Sequence, residues 1–158
     1  MKQINLMPMK TPGWNNGLKK KISVALVITM MLSIISCSQK VRFLTSSVVP
    51  SAEGVVEIKS DKNNNYVIDL SLMRLADPSR LTPPKAGYIV WMETENDGTK
   101  NIGQLRTSSG FMSKTLKSSL TTVTPFKPVG FIITGEDDHT TQYPGSVVVL
   151  KTSTFSVK

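Results

Sequence analysis

The chain is poor in the residues that usually announce chemistry, with one cysteine and one histidine among 158 residues. A lone cysteine excludes an intrachain disulfide, and with a single histidine beside it the usual zinc ligand sets cannot be assembled. Aromatic residues are scarce at 6% and charged residues reach only 19%. No basic cluster interleaved with aromatics is present, which argues against a nucleic-acid partner. Serine is plentiful, but no Gly-x-Ser-x-Gly elbow singles one out as a nucleophile. The net charge of +8 misleads, because residues 1–36 hold five lysines and no acid. The remaining 122 residues carry 14 basic and 11 acidic groups, the size and balance of one domain with one core.

The longest apolar run organises the start of the chain. Lys19 to Lys21 form a charged end, and Ile22 to Ile35 form an uncharged, mostly apolar stretch of 14 residues. As a helix it spans roughly 21 Å, short of the ~30 Å hydrocarbon of a bilayer. A charged end followed by such a stretch is the secretory pattern. Ile34-Ile35-Ser36-Cys37 then resembles the lipobox of bacterial lipoproteins. That resemblance implies a cleaved signal peptide over 1–36, an acylated Cys37 as mature N-terminus, and a membrane attached through that lipid. It also gives the solitary thiol a reason to exist in an exported protein.

Downstream, residues 37–52 read as the acylated cysteine and a short tether, with Val41 to Leu44 able to add an edge strand. Residues 53–158 read as the folded domain. Val55–Lys59 and Tyr66–Leu72 alternate with period 2 around the Asn-rich turn Ser60–Asn65, a hairpin with one buried face. Leu75–Pro84 holds three prolines and is expected as an ordered loop pinned by Leu75 and Leu81. Tyr88–Thr94 is apolar on both faces, which predicts a central strand. Asp97-Gly98 is a hairpin signal, and Asn101–Leu105 answers it, with Gly103 marking a bulge or close packing. Thr107–Lys114 reads as a polar loop. Thr115–Thr124 fits either a helix face or a strand. Val129–Thr134 and Val147–Thr152 are the last strands, separated by a turn region, Gly135–Gly145. The expected fold is all-β, an antiparallel Ig-like sandwich of about seven strands preceded by a cleaved signal helix.

Tyr88-Ile-Val-Trp91, Asn101-Ile-Gly-Gln-Leu105, Phe131-Ile-Ile-Thr-Gly-Glu136 and Tyr143-Pro-Gly-Ser-Val-Val-Val149 together resemble the C-terminal domain of anti-sigma-K factors. The likeness covers about residues 54–152 and implies an exported β-sandwich. Stand-alone lipoproteins of Bacteroidetes with similar proline-rich loops are closer still. The chain departs from the anti-sigma pattern in having a lipobox and no cytoplasmic domain to hold a sigma factor. A role in envelope-stress sensing is therefore the alternative that this resemblance brings. Surface-exposed lipoproteins of Bacteroidetes tend to carry acids just after the acylated cysteine. Here Ser38-Gln-Lys-Val-Arg42 is uncharged and then basic, and the first acid is Glu53. That resemblance implies a domain facing the periplasm of a Gram-negative envelope.

Candidate chemistry is thin. Glu136, Asp137, Asp138 and His139 place three carboxylates and an imidazole side by side, a set able to touch a cation but lacking the spacing of a calcium loop. A small hydrolase or metal-dependent enzyme around His139 is a minor alternative. Trp91 with Tyr88 offers an aromatic platform only if one of them escapes the core. No cofactor is called for. The expectation is a non-enzymatic binding or structural module, lipid-anchored at Cys37, whose partner is an envelope protein or glycan.

Overall fold

The computed structural model describes residues 38–109 and 116–157, all within the unit Cys37–Lys158. The expected signal peptide, residues 1–36, and Cys37 lie outside the described residues. Nine strands pair entirely antiparallel in two sheets: β1 (Ser38–Arg42), β2 (Glu53–Ser60), β3 (Tyr66–Met73), β4 (Gly87–Thr94), β5 (Thr99–Gln104), β6 (Arg106–Ser109), β7 (Leu116–Thr124), β8 (Pro128–Glu136) and β9 (Val148–Lys151). The first sheet runs β1-β2-β3-β7-β6 and the second β5-β4-β8-β9. With β1 set aside, this is the strand order of an immunoglobulin-type sandwich, A-B-E-D against C′-C-F-G. The only helical element described is a 3₁₀ turn at Pro78–Arg80. Among the described residues no helix is long and apolar enough to cross a membrane.

The two extra strands come from stretches that hid their period. β6 overlaps the start of the expected polar loop Thr107–Lys114, and its partner is β7. The ambiguous Thr115–Thr124 resolves as the strand Leu116–Thr124, because its alternation of Lys117, Ser119, Thr121 and Val123 outward sets Ser118, Leu120 and Thr124 toward the core. Residues 38–52 are not a tether. β1 pairs with β2 over five residues, Ser38↔Lys59 to Arg42↔Val55, and Val49 and Ala52 are buried in the core. The chain leaves the first sheet at Phe43, which bridges to Thr152, and Leu44 N–H donates to the Lys151 carbonyl at 2.9 Å. Ser46 is buried too, its hydroxyl bonded to the Val149 carbonyl.

The turns follow the sequence closely. Asp61 Oδ1 accepts from the amides of Asn63 at 2.7 Å and Asn65 at 2.8 Å, while Asn64 takes φ 61°. Those bonds, the Asn65 amide foremost, hold the Asp61 carboxyl below its usual range. Gly98 takes φ 70° in the β4–β5 turn. Gly103 serves both expected purposes. It sits at φ 131° beside the bulge opposite Val90 and Trp91, and a Cβ there would meet Leu120 at 3.2 Å. Leu75 and Leu81 anchor the β3–β4 loop in the core as expected. Val56, Ile58, Ile68, Leu70 and Leu72 of the first sheet face Tyr88, Val90, Met92, Phe131 and Ile133 of the second.

The placement of residues 38–52 yields a direct test. A chain beginning at Glu53 loses β1, Val49 and Ala52, and its urea midpoint is expected to fall by the equivalent of at least roughly 2 kcal/mol, the burial of one valine. A chain beginning at Ser38 should melt like the full-length protein. Equal melting of the two truncations would return 38–52 to the status of a tether.

Candidate functional site

β4 occupies the centre of its sheet and is apolar on both faces, so the two faces meet different fates. Tyr88, Val90 and Met92 enter the core. Ile89 and Trp91 point away from it, yet they are 1% and 0% exposed. The β8–β9 loop, residues 137–147, is tied to this face through Asn101 and Glu136. Asn101, the β5 residue paired with Trp91, donates its amide to the carbonyls of His139 at 3.2 Å and Thr141 at 3.1 Å. On the other flank Trp91 Nε1–H donates to Thr134 Oγ1 at 2.7 Å, and Thr134 in turn donates to Glu136 Oε1. Glu136 Oε1 also accepts from the Gly145 amide at 2.7 Å. A chain of hydrogen bonds thus runs from a buried indole to the base of the loop.

The sequence-predicted site residues are therefore not brought together as a ligand set. Glu136 closes the relay just described. Asp137 pairs with Lys85 Nζ at 2.7 Å, tying the β3–β4 loop to the β8–β9 loop. Asp138 Oδ1 accepts from the Thr140 amide and hydroxyl, both at 2.8 Å, and those bonds hold its carboxyl below the usual range. His139 contributes its carbonyl to Asn101. No group of three or more His, Cys, Asp or Glu side chains among the described residues could hold a metal ion. The aromatic platform is corrected as well. Trp91 and Tyr88 are both buried, so neither offers a ring face to a ligand.

The geometry opens a different surface. Between the start of β5 and the folded-back loop lies a shallow, mostly polar cleft of about 580 Å³, lined by Thr99, Lys100, Asn101, Thr140, Gln142 and Tyr143. Tyr143 is 81% exposed, the most exposed of the large apolar-bodied side chains described. An aromatic ring beside amides and hydroxyls is the composition that binds polar ligands with an apolar face. Sequence reasoning missed it because Asn101 and Tyr143 are distant along the chain, and only the loop's return over Trp91 joins them. Lys100 Nζ stands 4.7 Å from the centre of the Phe126 ring, a cation–π contact.

Replacing Thr134 by valine keeps the shape and removes the acceptor of the buried indole N–H. The variant should lose about 1–3 kcal/mol in urea unfolding, the cost of an unpaired buried donor. A loss below that range would mean that water or another group satisfies Trp91.

Tyr88 makes a second prediction. Its hydroxyl donates to the Ala76 carbonyl at 3.0 Å, and burial, with the charge of Asp77 added, pushes the phenol up to about 12 from its ordinary 10. Folding favours the neutral phenol, so the unfolded chain gives up this proton first. The Tyr88 contribution is complete below about pH 10 and is lost as pH rises toward about 12. Tyr88→Phe should flatten that part of the stability–pH curve, measured by melting at pH 9 to 12. An unchanged slope would show that another group governs alkaline unfolding.

Comparison of the chain with family models, curated proteins and solved structures finds no match.

Proposed function

We propose that this protein is a lipid-anchored envelope protein whose sandwich is a non-enzymatic binding module, with the Thr99–Asn101 and Thr140–Tyr143 cleft as its recognition surface. The anchor rests on Ile34-Ile35-Ser36-Cys37 behind a charged, apolar leader. The observation that carries the binding reading is the exposed Tyr143 ring set beside amide and hydroxyl side chains on a loop held rigidly by Asn101 and Glu136. A loop fixed in advance loses little conformational entropy on binding, which favours recognition by this surface. The engagement of Glu136, Asp137 and Asp138 in separate structural bonds supports a binding role over acid–base chemistry at His139.

The chain enters the sandwich at Ser38, already paired with Lys59 in the first sheet. An acyl group on Cys37 would hold the domain one residue from the membrane, and the uncharged, then basic run Ser38–Arg42 supports a periplasmic side.

Cells fed labelled palmitate should label the wild type and not Cys37→Ala. The wild type should fractionate with membranes, and added protease should spare it until the outer membrane is opened. Unlabelled wild type that is released in soluble form would remove the anchor from this reading. For the cleft, Tyr143→Ala should abolish pull-down of envelope saccharides or proteins captured by the wild type while melting unchanged. Undiminished capture by that variant would place recognition elsewhere.

A further inference from the structure

The outward face of the first sheet is a charged surface that the cleft does not use. Across its five strands one transverse row reads Arg42, Val55, Ser71, Ser119, Arg106, each residue directly paired with the next. At ~4.8 Å per strand the two arginines stand roughly 19 Å apart, with short side chains between them. Neither arginine has an ion-pair partner among the described residues. Of the acids nearby, Glu53 pairs with Arg74 and Glu57 with Lys40 and Lys59, while Asp69 in the adjoining row accepts from Thr121 Oγ1 at 3.4 Å. Lys117 adds a further exposed cation in the neighbouring row, opposite Met73. Beside Arg42 the surface dips into a hollow of about 390 Å³ that Val55, Ser71 and Met73 help to line.

We infer that this row binds an acidic polysaccharide, laid across the strands between Arg42 and Arg106. Arginine presents a planar fork of donors matched to carboxylate or phosphate, and both forks here are uncommitted. The serine hydroxyls between them suit sugar hydroxyls. An acidic peptide fits less well, because the middle of a sheet face offers no free backbone edge for strand addition. An anionic bilayer fits less well too. Arg42 lies four residues along β1 from Ser38, roughly 14 Å at ~3.4 Å per residue, so the row sits on the flank of the domain and away from the point of chain entry. Single-stranded nucleic acid lacks the stacking rings it needs, since among the described residues no aromatic stands on this face.

The test titrates the intact, detergent-solubilised protein with polygalacturonate, beside neutral dextran, polyglutamate and phosphatidylglycerol vesicles. Saturable binding to polygalacturonate that weakens with salt, without binding to dextran, is expected. Arg42→Ala/Arg106→Ala should weaken it at least roughly tenfold, the loss of one charge-assisted hydrogen bond, with melting unchanged. Lys62→Ala, in the β2–β3 turn, should leave it intact. Absence of polygalacturonate binding, equal binding by the double variant, or dependence on these arginines only for vesicles or polyglutamate would overturn the assignment.

Discussion

Trp91 stands on the face of β4 that points away from the core, and burying it there constrains the whole second sheet. A strand apolar on both faces cannot end a sandwich of two layers without a third cover. The β8–β9 loop is tied to that face. Its path is fixed at one flank by Asn101 and at the other by the Thr134–Glu136–Gly145 bonds. The indole N–H would otherwise be an unpaired donor in a dry site, so the relay that positions the loop also satisfies the tryptophan. Loop, sheet and cleft are thus consequences of one buried ring.

The sides of the sandwich obey a second constraint. An open edge of β9 would offer unpaired carbonyls to any passing strand. Residues 43–46 occupy that edge, taking the Lys151 carbonyl with an amide and the Val149 carbonyl with a hydroxyl. The same segment begins in the first sheet as β1, so one stretch of chain serves both layers. Lys40 and Arg42 stand exposed on β1 itself, an edge strand marked by cations. The C-terminal residues continue the closure, with Phe155 stacked on Phe131 at 5.9 Å and the Ser156 carbonyl bonded to Gln39.

Much of this was legible in the sequence where period 2 met strong apolar residues. β2, β3, β4 and β8 each carry alternating or continuous aliphatics, and both tight turns carry the Asp, Asn and Gly that their geometry demands. β6 was not legible as a strand and β1 only in part, through the edge-strand option at Val41 to Leu44, because Ser38-Gln-Lys-Val-Arg42 and Arg106–Ser109 are mostly polar. Their strand state is imposed by neighbours, which is how β-propensity behaves at edges. The site was less legible than the fold. The run Glu136–His139 looked like chemistry because its charges are adjacent in sequence, yet Glu136, Asp137 and Asp138 each bond to a different partner. Tyr143 and Asn101 carry no shared motif, and only a loop folded back over Trp91 joins them.

The entry of the chain straight into β1 has a mechanical meaning. For a protein held at Cys37, a pull directed along the axis of β1 would meet that ladder lengthwise. The five residue pairs between β1 and β2 then carry the load together, in shear, instead of opening one after another like a zip. A ladder loaded in shear resists far more force than one peeled from its end. An anchor at Cys37 would therefore make the first strand the handle by which the domain withstands such tension.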